Sequence, residues 1–366
     1  MRRLNTADRL QPGPRRNRVS LVCSTMLACA RVTVLFAVVV SSKHSASGTE
    51  PDDPVSDAVA APSRLWSVSV RWENDTFGGN DRFYTDGVSL AVSHTGPSWM
   101  DPVADWLPWG RGRRTVTYDA TQAMFTPADK SLSVPDPNDR PYAGILSLGL
   151  TLHVERSNSY HGLKFMTGVV GPWSLAEETQ RWIHDLGGWE QPQGWDYQLE
   201  NEPIFNFAYE YRRKFRLAGE RERWSVEALS VAGAWLGNVL TQGEIAGLIR
   251  FGYNMPDNFG PTLARGMGHM PPPMWAGTSR SASPWGFSIH GGAMANFVLR
   301  DITLDGNTFT DSPSVDKKFF VPAAGVGIAV GNRHVVASFS YLFWGKEFEG
   351  QRDYSEFGAL TVSYLF

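Results

Sequence analysis

Apolar and polar residues alternate through most of the chain from about residue 65 onward, which is the pattern of half-buried β-strands. In the segment 143–155, leucines occupy every second position from Leu146 to Leu152, with small or polar residues between them. The segment 204–215 repeats the pattern with Phe and Tyr. The sequence predicts strands near 65–73, 84–94, 114–124, 143–155, 161–170, 204–215, 224–236, 239–253, 284–300, 318–331, 334–343 and 355–366.

The last of these segments is the most informative. It ends the chain on Phe366, with Leu360, Val362 and Tyr364 on the same parity and small or polar residues on the other. The closing strand of an outer-membrane barrel has this pattern, and an even number of strands is also what a single-chain barrel requires. A soluble antiparallel sandwich would alternate as well. We therefore expect an all-β fold, an antiparallel transmembrane β-barrel of about 12 strands.

The beginning of the chain indicates export. Residues 1–48 run from a basic region through the apolar stretch 32–40 to small polar residues, which is the order of a secretory signal peptide. A signal anchor is the alternative, but the apolar stretch is shorter than the ~20 residues of a membrane-spanning helix. The expected organisation is a signal peptide at 1–48, a flexible leader at 49–63 and an outer-membrane barrel domain at 64–366.

The amino-acid composition also favours an outer-membrane location. The chain has 14 Trp, and barrels place aromatic rings at both membrane interfaces. Its net charge of −3 argues against a nucleic-acid partner. Both cysteines, Cys23 and Cys29, lie in the predicted signal peptide, so the mature chain would have no disulfide framework.

With a periplasmic N-terminus, the connections between strands 1 and 2, 3 and 4, and 5 and 6 fall on the cell surface. The connection 254–284, rich in Met, Gly and Pro, then falls in the periplasm, where turns are usually short. Either this segment is an insertion, or the strand count has slipped.

The first surface loop begins with Asn74 and Asp75 and leads to Thr85. Asn and Asp oxygens beside glycine suit Ca²⁺, although the same residues are common in simple turns. The alternation predicts that Asp75 and Thr85 face the lumen at its outer rim. The second loop supplies Lys130, which is either a solvated surface charge or a contact for an anion.

The residue pattern of the third surface loop predicts a helix. Ser174 and Glu177 have the spacing of a capping box, and Gly187 with Gly188 provides a stop. Within it, Gln180 and His184 lie four residues apart and share one face. A surface histidine is often only solvated. Here it lies on a short helix in an extracellular loop, and Glu190 and further acidic residues follow.

Taken together, these loops resemble the outer-membrane lipid A 3-O-deacylases. The resemblance runs from about residue 66 to the C-terminus and rests on W-E-N-D-T-F at 72–77, D-R-F-Y-T-D-G at 81–87, D-R-P-Y-A-G at 139–144, V-G-P at 170–172, E-T-Q-R-W-I-H at 178–184 and W-D-Y-Q-L-E-N at 195–201. It implies a twelve-stranded barrel that uses Ca²⁺ to hydrolyse the ester of an acyl group on the 3′ side of lipid A in the outer leaflet. No protein partner is implied.

The resemblance also implies roles for individual residues. His184 matches the catalytic histidine and would act as a general base toward water, since an imidazole exchanges protons near neutral pH. Lys130 would anchor a lipid A phosphate. The remaining implied catalytic residues are Asn74, Asp75, Thr85, Gln180 and Glu190. Of these, Glu190 matches the acidic partner of the histidine, and Asp75 would also hold the metal.

Two rivals remain open. A passive channel or structural barrel would need the loop residues only as turn formers. An outer-membrane phospholipase would share the strand number and the use of Ca²⁺, but no matching serine–histidine–asparagine spacing and no G-x-S-x-G segment is found. The loop helix with His184 favours a hydrolase, because a pore has no need of a base beside the outer leaflet.

Overall fold

The computed structural model describes residues 65–78, 83–156, 158–220, 222–256, 258–270 and 285–366. The strands in these ranges form one closed antiparallel barrel, in which each strand pairs with the next and β1 pairs with β12. They are Trp66–Asn74 (β1), Phe83–Thr95 (β2), Arg113–Thr126 (β3), Ala143–Glu155 (β4), Ser159–Val170 (β5), Glu202–Gly219 (β6), Trp224–Gly237 (β7), Leu240–Tyr253 (β8), Gly286–Asp301 (β9), Phe320–Gly331 (β10), Val335–Trp344 (β11) and Ser355–Leu365 (β12). The predicted signal peptide and leader lie outside the described residues.

The predicted strands and fold class are therefore confirmed. Alternation decides which side chains face lipid: in β4, Leu148 is exposed on the outer face, whereas Ser147, Thr151 and His153 are buried inside. Other strands follow the same rule, and apolar side chains form a continuous outer belt. Its members include Val88, Phe205, Phe207, Ile245, Ile289 and Ile328. Such a belt meets the hydrocarbon of a membrane.

The two ends of the barrel differ in their connections. The connections from β4 to β5, from β6 to β7 and from β10 to β11 are short and share the end where the described chain starts and finishes, which is the periplasmic end of such barrels. A short helix that the sequence did not predict, Asp101–Trp106, lies at this end and packs against the outer wall. No helix in the described part of the chain is long and apolar enough to cross a membrane.

The helix predicted in the third surface loop is present at Ala176–Gly187 and is called the loop helix below. Gly188, with φ of 65°, ends it as expected. The predicted capping box is wrong, because the chain turns toward the barrel before the helix starts. Ser174 belongs to a preceding 3₁₀ turn, where its carbonyl accepts a hydrogen bond from Gln122 Nε2 at 2.7 Å. Glu177 instead bonds with Arg181 at 2.9 Å.

The long connection after β8 returns into the barrel. Residues 258–270 of this connection are called the lumenal segment below, and they pack in the lumen through Phe259, Leu263 and Met270 against inward side chains such as Tyr160. The strand count was right, and the segment contributes to the core rather than extending into the periplasm. Residues 257 and 271–284 lie outside the described residues.

Candidate active site on the outer wall

A β-bulge lies near the extracellular end of β2, between a residue that faces the lumen and a residue that faces outward. In the pairing with β3, Tyr84 lies opposite Phe125 and Asp86 lies opposite Met124, so Thr85 has no partner across the ladder. A bulged residue re-aims the side chains around it. The Thr85 hydroxyl lies 2.7 Å from that of Thr126, which shares the outward parity of Met124.

The predicted lumenal position of Thr85 is therefore wrong. Parity holds only within a regular strand, and the bulge interrupts it at Thr85. Asp75 lies beyond the end of β1, where it begins the 3₁₀ turn Asp75–Gly78 and is buried. The strand rule does not extend to that position.

Asn74 and Asp86 form a polar group on the outer face. Asn74 Nδ2 donates to Asp86 Oδ2 at 2.7 Å, and Trp72 Nε1 donates to the same oxygen at 3.1 Å. The backbone N–H of Thr76 donates to Asn74 Oδ1 at 2.8 Å, which holds the turn against the strand end. Asp86 was not among the residues predicted from the sequence. It could have been selected because it follows Thr85 in the segment 81–87, which carries part of the family resemblance.

The loop helix presents one buried stripe to the barrel wall, formed by Ala176, Gln180 and His184 at intervals of four residues. It approaches β4 closely at Gly144, where a Cβ atom would lie 2.4 Å from Ala176 Cβ. Only glycine permits this distance.

The stripe adjoins the Asn74–Asp86 group. Ala176 packs in a buried cluster with Met124, and Met124 lies directly across the β2–β3 pairing from Asp86. Neighbouring strands are about 4.8 Å apart. The first turn of the loop helix therefore lies beside the strand ends that carry Asn74 and Asp86, and Gln180 and His184 follow on the same buried stripe.

His184 is oriented by the backbone that follows the helix. Its Nδ1 lies 2.6 Å from the carbonyl oxygen of Glu190, and only 5% of the residue is exposed. A carbonyl can only accept, so Nδ1 carries a proton, and in the neutral imidazole the lone pair is on Nε2. The side chain of Glu190 is exposed, and the contact of this predicted acidic partner with His184 runs through its backbone.

Gln180 has a fixed amide. Its Oε1 accepts a hydrogen bond from Trp195 Nε1 at 2.7 Å, which identifies the oxygen and directs the NH₂ group away from the indole. Both residues are almost fully buried, and Nε2 has no hydrogen-bond partner among the described residues. A buried amide of this kind can donate to an anionic oxygen. Trp195 was quoted only as part of a motif, and its role was missed.

Lys130 lies in the second surface loop and is half-buried. Its carbonyl accepts a hydrogen bond from the backbone N–H of Gln193 at 2.9 Å. This bond ties the second loop to the segment that follows the loop helix, so Lys130 belongs to the same extracellular cluster as the rest of the site.

The residues beside the first loop offer an all-oxygen donor set. Asp86 supplies a carboxylate that the Asn74 amide contacts, and Asp75 and Thr85 are the chain neighbours of these two residues. Among the described residues, no three His, Cys, Asp or Glu side chains cluster as a metal site. Ca²⁺ takes amide, hydroxyl and backbone carbonyl oxygens together with water, so two carboxylates are compatible with it, while soft metals are disfavoured.

Fold and site define the class: an outer-membrane β-barrel with a polar site between its outer wall and a helix of a surface loop. The chain belongs to the LpxR family, because the family model described as outer membrane protein LpxR matches residues 32–366.

The solved structure of LpxR from Salmonella typhimurium shows the same fold. LpxR from Salmonella typhimurium is similar with a TM-score of 0.66 at 19% identity, covering 82% of this chain and 100% of that one. A KdgM porin aligns over 82% of this chain and 99% of its own with a TM-score of 0.35 at 7% identity. The translocator domain of autotransporter NalP from Neisseria meningitidis aligns over 82% and 87% with a TM-score of 0.35 at 11% identity. No curated protein matches the sequence significantly.

Proposed function

We propose that the protein is a Ca²⁺-dependent esterase that removes an acyl chain from the 3′ side of lipid A, with His184 as the general base. One observation carries this proposal: His184 is buried against the outer wall with Nδ1 bonded to the Glu190 carbonyl. Nε2 is thereby left as a base, which is what water activation requires.

The location of the site supports a membrane lipid as substrate. The site lies at the extracellular end of the barrel, on the face that carries the apolar belt, with Leu148 and Val88 exposed nearby on β4 and β2. Exposed Trp173 and Leu175 precede the loop helix, and exposed Trp182 lies on it. A lipid of the outer leaflet would reach the site laterally, without leaving the membrane. Membership of the LpxR family agrees with lipid A as that lipid.

The chemistry follows from the side chains of the helix stripe. A water molecule attacks the ester carbonyl carbon while His184 Nε2 takes its proton, and the carbonyl π electrons move to the oxygen. The Gln180 amide donates to this oxyanion. Collapse breaks the bond to the sugar oxygen, which takes the proton from His184, and the acyl chain leaves as a fatty acid. No covalent enzyme intermediate is formed.

The first-loop residues would hold the cation. When bound, Ca²⁺ would supply positive charge that polarises the ester carbonyl. Asp75 would be its principal ligand, and Thr85 and Asp86 would contribute oxygens. Asn74, whose Nδ2 bonds to Asp86, would fix the orientation of that carboxylate. Lys130 would contact a lipid A phosphate as a point charge.

A passive channel has less support. The lumenal segment packs in the barrel, where wall side chains bond its backbone: Arg212 Nη1 donates to Phe259 O at 3.0 Å and Lys164 Nζ donates to His269 O at 3.1 Å. A water-filled pore is what a channel requires. These bonds give two of the polar inward residues, Arg212 and Lys164, a structural role.

The test compares the wild-type protein with His184→Ala in a Gram-negative host. Lipid A is extracted with Ca²⁺ present or chelated and analysed by mass spectrometry, and phospholipids are analysed in parallel. Loss of one acyl group only with wild type and Ca²⁺ is expected. Intact lipid A beside a correctly inserted barrel would refute the deacylase, and loss of phospholipid acyl chains instead would identify a phospholipase.

A further inference from the structure

The lumenal segment reaches the back of the wall that carries the site. Gly266 N–H donates to Glu73 Oε2 at 2.8 Å, and the Tyr84 hydroxyl donates to the same oxygen at 2.5 Å. Arg71 Nη2 donates to Glu73 Oε1 at 2.7 Å and to the carbonyl of Ala264 at 3.2 Å. One carboxylate thus joins β1, β2 and the lumenal segment.

The residues that follow in each strand belong to the site. Glu73 faces the lumen and the next residue, Asn74, faces outward. Tyr84 faces the lumen, and the bulge at Thr85 with Asp86 comes directly after it. The Glu73–Tyr84 contact therefore fixes, from inside, the two strand ends that hold the polar group outside.

These strand ends need such support because their own geometry is irregular. The bulge removes Thr85 from the β2–β3 ladder, and Phe83 has a positive φ of 72°. A bulge leaves one residue unpaired and bends the strand. Regular pairing alone does not hold this part of the wall.

A second contact anchors the segment to the extracellular loops. Arg265 bonds with Glu347, and its guanidinium lies 5.3 Å from the centre of the Tyr84 ring. Glu347 also forms an ion pair, at 3.2 Å, with Arg140 of the second surface loop. The segment is thereby fixed on both sides of Tyr84.

We propose that the lumenal segment braces the active site from behind, with Glu73 and Tyr84 as positioning residues that hold Asn74 and Asp86 in register. The proposal rests on the proposed function for its catalytic consequence. It gives the long connection after β8 a role: an element that enters from the periplasmic end supports chemistry on the outer leaflet.

Tyr84→Phe tests this brace, because it removes one hydroxyl and keeps the ring. Tyr160→Phe is the matched control: Tyr160 is also fully buried in the lumen, and its hydroxyl lies 2.8 Å from His153 Nδ1, close to the periplasmic end of β5. We expect Tyr84→Phe to lower kcat roughly 10- to 100-fold with little change in KM, since small displacements of reacting groups are costly. Tyr160→Phe should stay within about twofold of wild type, because its lost bond lies far from the site.

A second pair of variants tests the segment itself. In Gly266→Ala, the new Cβ would lie 3.1 Å from the Tyr84 hydroxyl at a residue with φ of +47°, whereas in Gly268→Ala it would meet only Ala264 Cβ at 3.8 Å. Gly266→Ala should lower kcat in the same way as Tyr84→Phe. Gly268→Ala should behave as wild type.

Amide hydrogen exchange provides a readout that does not depend on activity. Peptides covering Asn74–Phe77 and Phe83–Val88 should exchange faster in Tyr84→Phe than in Tyr160→Phe, in barrels that are equally folded by gel mobility. Equal kcat and equal exchange in the two variants would overturn the brace. If the wild-type protein does not deacylate lipid A, the proposed function fails, and the exchange comparison alone decides whether the brace exists.

Discussion

Strands β1 and β2 carry polar side chains on both faces near their extracellular ends, and the two faces are organised differently. Inside, Glu73 is saturated by Arg71, Tyr84 and the Gly266 backbone. Outside, the Asn74–Asp86 group lies opposite a helix stripe on which the Gln180 amide keeps an unused donor within the described structure. Saturated buried charges give rigidity, whereas an uncommitted donor beside a base suits a reaction. Alternation lets adjacent residues serve both purposes.

If this contrast is right, breaking a buried ion pair should lower the stability of the fold. Glu347→Ala leaves Arg140 and Arg265 buried without their acid, and the free energy of unfolding should fall by about 3–5 kcal/mol. Glu349→Ala, in the same loop, removes an exposed pair with Lys318 and should cost about 0–1 kcal/mol. Urea unfolding in lipid vesicles measures both, and equal losses would contradict the assignment.

The same carboxylate predicts a pH dependence. Burial by itself would raise the pKa of Glu347, but Arg140 and Arg265 outweigh it, so the pKa lies below its ordinary value. A lowered pKa stabilises the fold fully above the unfolded-state value, and this contribution is lost as pH falls through the folded-state pKa. The stability difference between wild type and Glu347→Ala should therefore be constant near neutral pH and shrink in acid. A difference that grows in acid would refute the ion-pair explanation.

On the outer face, by contrast, substitutions should affect catalysis more than stability, although a buried donor such as Trp195 Nε1 that loses its acceptor still costs about 1–3 kcal/mol. Gln180→Ala removes the proposed oxyanion donor and should lower kcat about 10²- to 10³-fold. Glu178→Ala, at an exposed position of the same helix, serves as the control and should retain activity. Deacylation kinetics on purified lipid A, with urea unfolding in parallel, would reject the donor role if both variants behave alike.

The amide orientation predicts a smaller effect. Trp195→Phe keeps a ring but loses the hydrogen bond to Gln180 Oε1, so the amide is free to turn. The loss of one such bond, about 1–1.5 kcal/mol, corresponds to a 5- to 10-fold fall in kcat. Trp182→Phe, at a residue that is 49% exposed, is the control. An unchanged kcat in Trp195→Phe would show that the indole only fills space.

The strands and the loop helix were predictable because each depends on a local period or on a helix stop such as Gly188. The bulge was not. One extra residue at Thr85 reverses the parity that the alternation predicts, and nothing in the local composition reveals it. The course of the lumenal segment was equally hidden, because its carbonyls are satisfied by Arg71, Lys164 and Arg212 on distant strands.

Within the site, sequence reasoning selected side chains but not the atoms that act. The family match to Glu190 predicts a carboxylate partner for His184, whereas the contact runs through the Glu190 carbonyl. Backbone contacts leave no trace in residue identity. Trp195 and Asp86 were missed for a related reason: their importance comes from a partner on another element.

Glu190→Gln should therefore have the smallest effect. The substitution keeps the carbonyl that accepts from His184 Nδ1 and alters only an exposed side chain, so kcat should fall less than about threefold, within the ±0.5 kcal/mol typical of surface changes. The pH profile of kcat should also keep its shape, because the imidazole tautomer is set by the backbone. A fall of 10²-fold or more would mean that the Glu190 carboxylate turns toward His184 during the reaction. The imidazole would then be oriented by a side-chain carboxylate and not by the backbone carbonyl. The outer site would then rely on charge as the lumen does, and the contrast between the two faces would disappear at its most important residue.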